Sequence, residues 1–173
     1  MKNYGHFIHG REIPAANGET FPSYAPMTGE ILGHAARGTE ADVEAAVISA
    51  RKGFEHWSSL PPYDREKILL KCADHVEANY DRLLNLLIDE SGSSIIKAKY
   101  EVLYTASVLR VAAGEVRRMY ADTLPNEKPH RMSMVVREPV GVVLAISPFN
   151  APLVLLAKMI VFPLGAGNAV IAK

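Results

Sequence analysis

An asparagine held between two prolines, in Ser147-Pro148-Phe149-Asn150-Ala151-Pro152, and a lysine 23 positions further on, Lys173, are the residues best placed to do chemistry. The Asn150 amide carries two N–H donors, and an amide held rigidly can stabilise negative charge building on a substrate oxygen. The same side chain could instead cap the helix that follows, or bond the backbone of its own turn. Lys173 closes an apolar, β-branched run. An ammonium at the carboxyl end of a parallel strand faces the crevice where open α/β sheets bind ligands, and there it could bond a ribose or phosphate. The alternative is a solvated lysine.

Other chemistry-bearing residues read as structural. Cys72 falls on the apolar face of a helix, with Ile68, Leu69 and Val76, so it is expected to be a buried thiol without reactivity. Glu55, Glu66, Glu77, Glu90 and Glu101 belong to helical segments and are expected on solvated faces or in ion pairs. His6 and His9 have His-x-x-His spacing, but on a strand they face opposite sides, so no metal site is expected. Gly165-Ala166-Gly167-Asn168 precedes a strand and not a helix. It therefore reads as helix-ending turn chemistry and not as a dinucleotide fingerprint.

The elements that would position Asn150 and Lys173 follow from periodicity. The stretch after Pro139, Val140-Gly141-Val142-Val143-Leu144-Ala145, is a short apolar run rich in β-branched residues. Pro152 to Pro163 has helical length, and Ala169 to Lys173 is a second buried-type strand. Strand, loop, helix, turn and strand make a βαβ unit, the start of a parallel, doubly wound sheet. Ahead of it, residues 1–38 read as short strands and turns, with Phe7 to Ile13 a hairpin around Gly10 and a turn at Thr28-Gly29. Thr39 and Asp42 form a capping-box start for a helix carrying Val43, Val47, Ala50, Phe54 and Trp57 inward. A second helical stretch follows Pro61-Pro62, and Leu83 to Ile88 continue to a stop near Glu90 to Ser94. A long third pattern runs from Ile95 to Tyr120, with Ile95, Ala98, Val102, Val108, Leu109, Ala112 and Val116 inward. The fold class is thus α/β: a helical amino-terminal region leading into a first βαβ unit. Three regions are expected: 1–120 strands and helices, 121–139 a polar, proline-bearing arm, and 140–173 the βαβ start.

Composition narrows the function. With 173 residues, 49% hydrophobic and 22% charged, the chain suits an ordinary globular protein. Nineteen basic residues balance nineteen acidic ones, and no Lys/Arg cluster interleaves with aromatics, which argues against nucleic-acid binding. One cysteine fits a reducing compartment, and the polar, Gly- and Pro-broken amino terminus is no signal peptide, so a cytoplasmic location is expected. The apolar stretch from 139 to 172 is long enough to raise a membrane span, yet Pro148, Pro152 and Pro163 interrupt it, and no membrane partner is expected.

The run Arg137-Glu-Pro-Val-Gly-Val-Val-Leu-Ala-Ile-Ser-Pro-Phe-Asn-Ala-Pro-Leu153, followed by Pro163-Leu-Gly-Ala-Gly-Asn-Ala-Val-Ile-Ala-Lys173, resembles the NAD(P)-dependent aldehyde dehydrogenase superfamily. Pro26 to Leu32, the Asp42 to Trp57 helix, Arg65, and Asp89 to Val102 agree with it, so the resemblance spans nearly the whole chain. It implies oxidation of an aldehyde to a carboxylate through a cysteine-bound thiohemiacetal and thioester, with NAD or NADP as cofactor. Asn150 would match the amide of the oxyanion hole. Ile146, Ser147, Pro148 and Phe149 would line the nicotinamide side of the cofactor site, and Lys173 would bond the adenosine ribose hydroxyls. The arm over 121–139 would pair subunits into a homo-oligomer, a dimer or tetramer. Phe149 stands where the family usually has tryptophan; an aromatic wall is kept and an N–H donor lost. The Ser147 to Leu153 sequence resembles the aromatic-aldehyde branch, so an aromatic aldehyde is the expected substrate class.

In the family, the nucleophilic cysteine, the general-base glutamate and the glycine-rich pyrophosphate turn lie downstream of the lysine matched by Lys173. The chain is accordingly expected to be an amino-terminal portion of such an enzyme, without aldehyde oxidation of its own. The alternative is a non-catalytic family member, or a subunit-assembly module.

Overall fold

The computed structural model describes residues 2–173. Five short strands come first: β1 (Lys2–Tyr4), β2 (His6–Ile8), β3 (Arg11–Ile13), β4 (Thr20–Tyr24) and β5 (Ile31–Ala36). β2 and β3 form the expected antiparallel hairpin. Its two turn residues, His9 and Gly10, both have positive φ, 55° and 74°, which is what a two-residue turn matched to strand twist demands. β5 lies between β1, parallel to it, and β4, antiparallel.

Four helices follow: α1 (Glu40–Ser59), α2 (Pro62–Ala78), α3 (Tyr80–Ser91) and α4 (Ile95–Val116). Asp42 opens α1 as its sequence suggests, taking the Thr39 backbone N–H at 2.8 Å. It also receives the Ala16 N–H at 3.0 Å, which ties the strand region to the helix. The main core lies where α2, α4 and the later α5 meet, built from Leu69, Ala73, Val108, Leu109, Ala112, Val116 and Val161. A second cluster joins α3 to the start of α4 through Leu84, Leu87, Ala98 and Val102.

Three expectations about inward faces need correcting. On α2 the buried stripe is Arg65, Leu69 and Ala73 at steps of four. Cys72 and Ile68, about 100° round the helix from it, are exposed and not buried. Val43 and Ile95 are exposed as well: in the first turn of α1 the buried residue is Asp42, and on α4 the buried stripe begins at Ala98. Glu101, expected on a solvated face or in an ion pair, is paired with Lys97 at 3.3 Å but is not on a solvated face: it is 1% exposed and among the most deeply buried side chains of the protein.

Beyond α4 come β6 (Asp122–Leu124) and β7 (Ser133–Val135), an isolated antiparallel pair, then β8 (Val142–Ala145), α5 (Pro152–Gly165) and β9 (Ala169–Ala172). β8 and β9 run parallel, Val142 beside Ala169 and Ala145 beside Ala172, with α5 as their crossover. This is the βαβ unit expected from the sequence, and the chain has the α/β architecture that the pattern implied. α5 is seated tightly on α4: a Cβ on Gly165 would come within 3.2 Å of the Val116 side chain. Among the described residues no helix is long and apolar enough to cross a membrane.

Candidate active-site loop at the ends of β8 and β9

The loop 146–151 leaves the carboxyl end of β8 and enters α5. Its backbone is fixed to the end of β9 by a continuing ladder: Lys173 N–H donates to Ala145 O at 2.8 Å, and Ser147 N–H to Lys173 O at 2.7 Å. The first residues of the loop and Lys173 are therefore side by side at the carboxyl edge of the two parallel strands. Both strands are held at their other end as well. Asn168, 5% exposed, accepts from Gly141 N–H at 3.0 Å and donates through its amide to Pro163 O at 3.1 Å. That links the end of α5 to the start of β8, while Gly167 takes the positive φ of 92° that the turn needs. The tetrad 165–168 thus ends the helix, as its order in the sequence indicates, and Asn168 does more than end it.

The Ser147 hydroxyl is directed back into the loop, toward the carbonyls of Pro152 at 3.1 Å and Pro148 at 3.3 Å. Ile146 and Phe149 are open to solvent, Phe149 being 91% exposed, and they present an apolar surface beside the strand ends. The Asn150 side chain is exposed and has no hydrogen-bond partner among the described residues. It neither caps α5 nor bonds the turn. Position 151 is the N-cap of α5 and makes no side-chain cap bond. Pro152, two residues after Asn150, has no N–H to give. The next donors, Leu153 N–H and Val154 N–H, go to the Oε1 of Glu101 on α4, at 2.8 and 3.3 Å. Of the two uses open to Asn150 on sequence grounds, the local one is thus not taken up.

Two buried residues of this region were not legible as such. Glu101 lies on the same inward stripe as Ala98, Val102 and Thr105, at the three- and four-residue spacing of a buried face, and that was the available signal. Its second oxygen faces Lys97 Nζ at 3.3 Å, and Lys97 in turn donates to Ser93 Oγ at 2.7 Å. Arg65, 6% exposed, donates to Leu60 O at 2.6 Å and lies beneath Gly167, with its Nε left unpartnered. Burial lowers the pKa of its guanidinium.

Cys72 lies on α2, outside this loop. Partial desolvation pushes its thiol pKa up, which lowers the thiolate fraction a nucleophile needs. The donor set at the strand ends suits a dinucleotide: a lysine ammonium with no ion-pair partner among the described residues, next to an apolar wall and a proline-stiffened loop.

The aldehyde dehydrogenase family model matches residues 13–173, and the chain belongs to the aldehyde dehydrogenase family. A vanillin dehydrogenase of Pseudomonas fluorescens is 35% identical over 166 residues, covering 96% of this chain and 34% of the relative. The crystal structure of a salicylaldehyde dehydrogenase from Pseudomonas putida G7, complexed with salicylaldehyde, superposes with a TM-score of 0.96 at 32% identity. That superposition covers 100% of this chain and 36% of the other. An NAD-dependent aldehyde dehydrogenase from Sinorhizobium meliloti gives a TM-score of 0.91 at 31% identity, over 99% of this chain and 35% of its own. The chain spans about a third of the length of the relatives it matches.

Proposed function

We propose that this chain forms the oxyanion side and part of the cofactor wall of an enzyme that oxidises an aldehyde to a carboxylate with NAD or NADP. The observation that carries the reading is the uncommitted Asn150 amide, held on a stiff loop at the carboxyl ends of two parallel strands. An aldehyde oxygen gains negative charge when a nucleophile adds to its carbon, and an N–H donor placed against that oxygen stabilises the charge. Asn150 is the donor here, and its partner donor, the nucleophile and the water-activating base come from outside these residues. Lys173 bonds the ribose hydroxyls of the dinucleotide, while Ile146, Ser147, Pro148 and Phe149 form the wall on its nicotinamide side. The exposed apolar faces of Ile146 and Phe149 exclude water from the reacting carbon once covered. The bound nicotinamide supplies the hydride acceptor that the oxidation requires.

Substrate class follows from the relatives and from Phe149. Two of the similar proteins are named for vanillin and salicylaldehyde, and an exposed phenyl ring beside Asn150 suits an aromatic ring on the substrate. We place an aromatic aldehyde first. The arm made by β6 and β7 carries Leu124, Met132, Met134, Val135 and Val136 on exposed positions, which supports its use in pairing subunits of a homo-oligomer.

The test is kinetic. Asn150→Ala in the native protein that carries this chain should lower kcat for benzaldehyde oxidation by about 10²- to 10³-fold, with KM within a few-fold. An unchanged kcat would remove Asn150 from the mechanism.

A further inference from the structure

Helix α5 begins with Pro152, so the first amides it must satisfy are those of Leu153 and Val154. First-turn amides have no acceptor within their own helix and are usually capped by a side chain just upstream. In this sequence the upstream polar residue is Asn150. Its nearest local donor, at position 152, is removed by proline, and the Leu153 N–H is the next within reach of an asparagine oxygen. Both Leu153 and Val154 instead donate to one oxygen of Glu101, which reaches across from α4. A carboxylate also complements the partial positive charge of a helix start. This carboxylate is fully buried, and it is oriented from behind by Lys97, which is fixed in turn by the hydroxyl of Ser93, itself 2.8 Å from Ser91 Oγ. Leu153 also packs into the α3–α4 cluster, so the bond and the packing anchor the same turn.

We infer that Glu101 is a positioning residue: by capping α5 from a neighbouring helix it sets the angle of the 146–151 loop and keeps the Asn150 amide free for substrate. The inference rests on the reading of Asn150 as an oxyanion donor. It says that a residue which never touches substrate governs the rate through Asn150 alone. Without Glu101, the Leu153 amide is unsatisfied and Asn150 turns inward to take it, so the donor is withdrawn from the site.

A double-mutant cycle in the native protein tests this, with amide hydrogen exchange as a second readout. Glu101→Ala is expected to lower kcat about 10- to 100-fold with KM nearly unchanged, the loss a misplaced catalytic group produces. In an Asn150→Ala background the same substitution should change kcat less than about threefold, because the group it acts through is already gone. Glu101→Gln keeps an oxygen at the same reach and should restore most of the rate, which also guards against a Glu101→Ala protein that does not fold. Exchange at Leu153 and Val154 should be slow in the parent and about tenfold faster or more in Glu101→Ala, with Ala157 unaffected. Equal losses of kcat in both backgrounds would make Glu101 a general structural residue and overturn the inference. So would unchanged exchange at Leu153 and Val154, or a Glu101→Ala enzyme with parental kcat. If Asn150→Ala alone leaves kcat unchanged, the oxyanion reading itself has failed, and the inference falls with it; that single variant distinguishes the two failures.

Discussion

Asp42 shows how much one carboxylate can organise. Its pKa is lowered, first by the Thr39 N–H, then by the Thr39 hydroxyl, with Ala16 N–H and His6 adding to the effect against the cost of desolvation. A carboxylate whose folded pKa is depressed contributes stability that is complete above its unfolded pKa, and that is lost as pH falls through the folded value. Asp42→Asn should therefore weaken the fold at neutral pH, and the gap to the parent should close as pH drops below about 4. Urea midpoints of both proteins across that range check it; a gap independent of pH would assign the loss to shape and not to charge. Cys72 is exposed where its sequence position suggests burial, and partial desolvation still raises its thiol pKa, which lowers its thiolate fraction.

At the scale of elements, α1 is tied to α5 by one bond, the Trp57 indole N–H to Leu164 O at 2.7 Å. The carbonyl belongs to the last turn of α5, where it also accepts the Gly167 N–H at 2.9 Å. Trp57→Phe keeps an aromatic body and removes the donor, and should cost about 1 kcal/mol in a denaturation curve. A cost near zero would mean that water replaces the indole. Element order and type were legible because each has a strong local signal: the Thr39–Asp42 start, the His9-Gly10 turn, the apolar strands around α5. Inward faces were less so. On α2 the stripe runs through Arg65, and on α4 through Glu101, whose oxygens are met by the Leu153 and Val154 N–H groups and by Lys97, so that the carboxylate can hold an interior position. Hydrophobicity alone shifts such a stripe by one residue, as it did at Cys72. The site loop was legible as a place, from its position after a strand and between prolines. The freedom of the Asn150 amide was not, because it depends on a contact from Glu101, on a different helix and far off in sequence.

For the whole molecule, the tertiary arrangement converts a generic βαβ start into a specific one. Packing of α5 on α2 and α4 fixes the helix, Asn168 and Gly167 fix its exit, and Glu101 fixes its entry. The loop and Lys173 then share one edge without any contact between their side chains being required. That arrangement is the basis of the aldehyde-oxidising reading, and one experiment addresses all of it at once. A crystal structure of the native protein with nicotinamide dinucleotide and benzaldehyde should place the adenosine ribose on Lys173 and the nicotinamide against Ile146 to Phe149. The aldehyde oxygen should lie about 3 Å from the Asn150 amide nitrogen. A dinucleotide bound away from the carboxyl edge of β8 and β9, or an aldehyde oxygen out of reach of Asn150, would contradict the account.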